Sequence, residues 1–168
     1  MRKTSVLCLL SITILLYSCK DSFYSSIPDA PVNFKCNLLH APYSLIKTPS
    51  QFITVKRSAN RFEVYAPGID KFYGSEYGFT FGNSGIAVGY SSFSEYCAYD
   101  LTCPLEYKLN SKKVAVELQT NELGVAKCPQ CDSKYDLNNG GIPIKGESDE
   151  RLKPYPVIVQ GDELIIRK

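Results

Sequence analysis

The feature that most limits how this chain can fold is its punctuation. From Pro31 onward, short runs rich in valine, isoleucine, tyrosine and phenylalanine alternate with Gly, Pro, Asn and Ser breaks. Branched and aromatic side chains suit a pleated, half-buried surface, and the breaks come too often for a helix of useful length. Val32–Leu38, Gln51–Lys56, Arg61–Ala66, Gly85–Tyr90, Glu95–Tyr99 and Lys113–Gln119 read as strands. Tyr155–Ile166 reads as a hairpin turning at Gly161-Asp162. No window sustains a helical apolar period, and Asn37–Ile46 has room for a turn or two at most. The expected class is all-β. Between Lys71 and Gly89 the chain is dense in tyrosine, phenylalanine and glycine, which predicts strands packed on the core rather than an aromatic binding surface.

The first 18 residues stand apart. Arg2 and Lys3 precede the mostly apolar stretch from Val6 to Leu16, and Leu16-Tyr17-Ser18 leads to Cys19. The segment resembles a bacterial lipoprotein export signal, too short and wrongly flanked for a spanning helix. That resemblance implies cleavage before Cys19 and lipid on its thiol, tethering the chain to a membrane of the cell envelope. The face could be periplasmic or the outer surface. Residues 19–30 are polar, close with proline, and are expected to be a tether, leaving 31–168 as one domain.

Losing residues 1–18 removes Arg2 and Lys3 and no acid, which leaves 17 basic groups against 17 acidic ones. A neutral chain without a basic run has no footprint for nucleic acid. No protein partner can be named from it.

Cysteine usage carries the remaining chemistry. Of the seven cysteines, Cys8 lies in the signal and Cys19 at the lipidation point, leaving Cys36, Cys97, Cys103, Cys128 and Cys131. Five is odd, so at least one is unpaired or binds something. Cys36 sits in an alternating strand and reads as a small buried hydrophobe. Cys97-x5-Cys103 with Cys128-x2-Cys131 resembles a four-thiolate zinc site, although the first spacing is wide for a knuckle. Cys128-x2-Cys131 is followed by Asp-Ser-Lys-Tyr-Asp and a glycine turn, which sets aside a thioredoxin-like dithiol at a helix N-terminus. The single histidine, His40, lies in the loop-like Leu39-His40-Ala41-Pro42 and offers no nucleophilic triad.

Cys97-Ala98-Tyr99-Asp100-Leu101-Thr102-Cys103-Pro104, followed by Cys128-Pro129-Gln130-Cys131 with Ser133, Tyr135 and Asp136 and the Asn138-Asn139-Gly140-Gly141 turn, resembles the two cluster-binding loops of a Rieske-type iron–sulfur domain. Gly141-Ile142-Pro143, Leu152–Tyr155 and the last hairpin continue the likeness, which covers about residues 85–168 well and 31–84 loosely. It implies an antiparallel sandwich with a smaller cluster-binding unit at about 97–146. It also implies that Cys103 and Cys128 take the thiolate places, while Leu105 and Cys131 stand where the two histidines belong. Leu105 cannot bind metal. A two-iron, two-sulfide cluster would then need Cys103, Cys128, Cys131 and a fourth ligand, for which Cys97 is the candidate. The favoured expectation is that no cofactor is bound, with such a cluster or zinc as alternatives. Because the family's two cysteines bind one iron, the likeness also implies a Cys103–Cys128 disulfide once metal is lost, with Cys97–Cys131 as a second pair. An oxygenase needs a further iron site with two histidines and a carboxylate, so the expected role is a non-catalytic scaffold or binding module, with an electron-transfer protein carrying a thiolate-ligated two-iron cluster, or a four-cysteine zinc-stabilised module, as alternatives.

Overall fold

The computed structural model describes residues 24–75 and 77–168. The signal (1–18), the lipidation point Cys19 and residues 20–23 lie outside the described residues. The strands are β1 (Val32–Asn37), β2 (Gln51–Ser58), β3 (Arg61–Tyr65), β4 (Phe72–Ser75), β5 (Thr80–Phe81), β6 (Ile86–Tyr90), β7 (Tyr96–Asp100), β8 (Glu117–Leu118), β9 (Val125–Lys127), β10 (Lys134–Asp136), β11 (Ile142–Lys145), β12 (Pro154–Tyr155), β13 (Val157–Gln160) and β14 (Glu163–Arg167). Among the described residues a 3-10 turn spans Tyr43–Lys47 and an α-helix, α1, spans Pro104–Asn110. None of the described helices is long and apolar enough to cross a membrane.

Three antiparallel sheets result, in the orders β12-β7-β6-β2-β3-β4, β13-β14-β1-β5 and β11-β10-β9-β8. The largest is covered on both faces. Its strands are buried on both faces over Phe52–Val55 of β2 and Ile86–Gly89 of β6, and the period of two sorts their apolar side chains between two cores. Ile53, Val55, Ile86, Val88 and Ala98 face Phe34, Leu164 and Ile166 of the β1 sheet. Phe52, Ala87, Tyr99 and Leu101 face Leu118, Ala126, Tyr135 and Leu137 of the small sheet. The all-β class is thus observed, with an antiparallel sandwich and a smaller unit that carries the cysteine loops.

Phe34 centres the first core. Its ring meets Phe62, Phe79 and Phe81 edge-on or tilted, with centroids 5.5–6.0 Å apart. Sequestering one such ring stabilises the fold by roughly 2–3 kcal/mol. The aromatic-rich stretch thus divides: Phe79 and Phe81 join the core, while Phe72, Tyr73 and Tyr77 remain exposed. Cys36 is buried in this core, and His40 is exposed, as their contexts predict.

The expected tether behaves differently over its described part. Ile27 is 1% exposed. Ser26 N donates to Glu150 Oε2 at 2.6 Å, Arg151 N to the Tyr24 carbonyl at 3.1 Å, and Lys153 Nζ to the Ile27 carbonyl at 3.1 Å. Asp29 adds ion pairs to Lys153 and Lys168. Residues 24–30 are therefore docked on the domain, because one buried isoleucine and these polar bonds offset the ordering of so short a segment.

Candidate metal centre

Two connections bring thiols together. The first leaves β7. Asp100 at its end is fully buried, and its carboxylate accepts from Thr102 N (2.8 Å) and Thr102 Oγ1 (2.6 Å) on one oxygen. The other oxygen accepts from Tyr155 OH (2.7 Å) and Asn83 N (2.8 Å). These donors fix the chain's exit from the sheet. Cys103 N then donates to the Val114 carbonyl at 2.8 Å, and Pro104 opens α1. Proline suits that first helical position, since its missing N–H would have had no partner there. Ser111, in the left-handed region at φ 53°, ends the helix.

The second connection joins β9 to β10. Cys128 N donates to the Ser133 carbonyl at 2.9 Å, and Asp132 N to the Cys128 carbonyl at 3.2 Å. Asp132 takes φ 58°, a conformation that aspartate tolerates, and pairs with Lys127 at 2.6 Å. Gly146 passes so close that a Cβ there would stand 2.7 Å from Ser133 Cα.

The sulfurs of Cys103, Cys128 and Cys131 lie within 4.8 Å of one another. Cys103 Sγ is 3.5 Å from Cys131 Sγ and 3.3 Å from the Tyr135 hydroxyl. Cys131 Sγ is 3.3 Å from Ser133 Oγ. Cys103 and Cys128 are fully buried, and Cys131 is half-buried. All five described cysteines are free thiols. Cys103 is held below the ordinary thiol range. The Cys128 thiol, the Tyr135 hydroxyl and the Glu106 amide all favour its thiolate, and together they outweigh burial. Cys128 is pushed up in turn, as donor to Cys103 and then by burial. Burial, and then its bond to Cys103, push Tyr135 up as well.

Of the four cysteines singled out in the sequence, the structure unites three and leaves Cys97 apart. Cys97 pairs with Gly89 across β6 and β7, and its thiol faces the carbonyls of Leu137 (3.6 Å) and Gly89 (3.9 Å). Burial pushes this thiol up to about 11. A strand advances about 3.3 Å per residue, so the six residues from Cys97 to Cys103 carry the two thiols to different ends of the face. Neither a four-thiolate set nor a Cys97–Cys131 pair is assembled. Leu105 lies in α1 with its side chain in the second core, beside Cys103 and Cys128. Sequence reasoning missed that helix, although Pro104 and Glu106 after Cys103 are first-turn signals.

A bridged two-iron cluster needs four protein ligands, two at each end. Among the described residues this site offers three donors within 4.8 Å of one another. The donor set does not fit that cluster. It does fit a single ion: at a metal–sulfur distance near 2.3 Å, a tetrahedral site spaces its sulfurs by about 3.8 Å. The expectation that no cofactor is bound draws no support from three thiols kept this close.

These features define an all-β antiparallel domain with a buried three-thiol cluster between a helix and a hairpin loop. Two solved structures are similar to it. One is the ferredoxin of carbazole 1,9a-dioxygenase from Nocardioides aromaticivorans IC177, 15% identical over 83% of this chain and 98% of that chain, with a TM-score of 0.39. The other is a Sphingomonas yanoikuyae B1 ferredoxin, 14% identical over 69% of this chain and 96% of that chain, with a TM-score of 0.37. No protein-family model and no curated protein matches the sequence.

Proposed function

We propose that this chain is a lipid-anchored protein of the bacterial cell envelope whose Rieske-like domain is a non-catalytic scaffold or binding module, not a carrier of a two-iron cluster. The carrying observation is Leu105. It stands in sequence where the resemblance puts a ligand histidine, and its side chain is packed into the second core at 9% exposure with no donor atom to offer. The lone histidine speaks against an iron-oxygenase site, which takes two histidines and a carboxylate. Anchoring rests on the export segment and Cys19. The membrane is its partner through the lipid, and nucleic acid is not.

The test is iron and acid-labile sulfide content, with an absorption spectrum, on the full chain purified anaerobically in detergent. Fewer than two irons per chain and no visible charge-transfer bands are expected. Two irons with two sulfides would overturn the scaffold role. For the anchor, labelled palmitate should enter the chain and vanish on Cys19→Ser; incorporation that survives this change would remove Cys19 as the lipid site.

A further inference from the structure

We propose that Cys103, Cys128 and Cys131 form a mononuclear site for one soft, thiolate-seeking d10 ion, Zn(II) or Cu(I), with one coordination position left to a ligand from outside the chain. This deepens the scaffold reading, because it rests on the two-iron cluster being absent. Three observations carry it. The sulfurs share one centre, with separations of no more than 4.8 Å. A two-iron site would instead pull its terminal ligands towards two separate metals.

The surroundings serve the sulfurs as well as the fold. Tyr135 and Ser133 are both fully buried, and each hydroxyl lies 3.3 Å from a cluster sulfur. Such outer donors orient thiolates and offset their charge once a cation joins them. Leu105, Val116 and Leu118 supply dry walls from the same core. Soft thiolate donors in such a pocket select Cu(I) or Zn(II) over hard cations.

Finally, the cluster opens on one side only. Cys103 and Cys128 are sealed and Cys131 is half-buried, so an external ligand has one approach, past Cys131. A closed structural zinc site would have a fourth protein donor; a three-donor site keeps that position open. The site therefore differs from a four-thiolate knuckle in what it can do: it can accept an external thiolate, imidazole or water on the bound ion.

The experiment uses the full chain in detergent, reduced and anaerobic, titrated with Co(II) and then with Zn(II) and Cu(I) in competition. One Co(II) per chain is expected, with near-ultraviolet sulfur-to-metal charge-transfer bands that either ion displaces; the ion that displaces at the lower concentration is the preferred one. Cys128→Ser should weaken binding by at least about a hundredfold, and Tyr135→Phe by about tenfold, in the range seen for outer donors. Cys97→Ser should leave it unchanged. Should Cys128→Ser fail to fold, Cys131→Ala at the half-buried edge is the second variant, again with a loss of about a hundredfold or more. A reduced, folded chain that binds none of these ions overturns the inference and leaves the scaffold role standing. So does a chain that, as isolated, holds no metal and resists loading because its described free thiols have fallen from five to three. Two irons with sulfide overturn both.

Discussion

The Tyr155 hydroxyl, on a two-residue edge strand, donates at 2.7 Å to Oδ2 of Asp100, a fully buried carboxylate 55 residues earlier in the chain. This bond ties the last strand segment of the large sheet to the exit of β7, three residues before Cys103. A buried carboxylate held by several neutral donors depends on all of them.

Tyr155→Phe removes one donor while keeping the ring. It should cost about 1.5–3 kcal/mol, the range for a hydrogen bond to a charged group. Urea denaturation would show it as a lower midpoint with an unchanged slope. A loss below about 0.5 kcal/mol would mean that water or Asn83 takes over the vacant place.

Gly146→Ala should be costly for a different reason. The residue sits at φ 93°, and the added carbon would meet Ser133 Cα at 2.7 Å. Backbone must move, at about 1–3 kcal/mol, and the loop that carries Cys131 moves with it. Faster amide exchange at Cys128 and Asp132 is the expected signature, alongside a lowered Tm.

Thiol reactivity should follow exposure and thiolate content. In the reduced, metal-free chain at pH 7.5, iodoacetamide should label Cys131 first. Cys97, pushed up to about 11, has under about one thiolate in a thousand at that pH, and Cys36, pushed up to about 12 in the core, still less. Peptide mass spectrometry over a time course orders them. Early labelling of Cys97 would contradict its placement against Leu137.

The docked N-terminal segment predicts a pH dependence. Lys153 and Lys168 lower the Asp29 carboxyl from 3.8 to about 2. A carboxyl lowered by folding contributes stability that is complete above its unfolded value and is lost as pH falls through the folded one. The Asp29 contribution should therefore hold at pH 5 and fade between 3.8 and 2. An NMR titration of Asp29 would give a midpoint near 2; a midpoint near 3.8 would mean the segment is undocked.

What the sequence revealed depended on length of pattern. The long apolar runs of β2 and β6 and the β13–β14 hairpin with its Gly161 turn lie within a residue or two of their expected positions. Strands β9 and β10 have three residues each, too few for alternation to register, so the pattern marked the run around β8 but not these two. Helix α1 was hidden because seven residues complete barely two turns. Cys97 illustrates the limit of spacing: it counts residues between thiols but not which end of a strand each occupies. Ile27 shows a similar limit, since one apolar residue in a polar run gives no periodicity, yet at 1% exposure it is buried as deeply as Val32 of β1.

Neighbouring side chains of the central sheet feed opposite cores, Phe52 into one and Ile53 into the other. Parting β2 from β6 would therefore expose both cores at once. Among the described residues the slowest-exchanging amides should lie where β2 joins β6, while the cysteine loops at the edge of the second core can open without them.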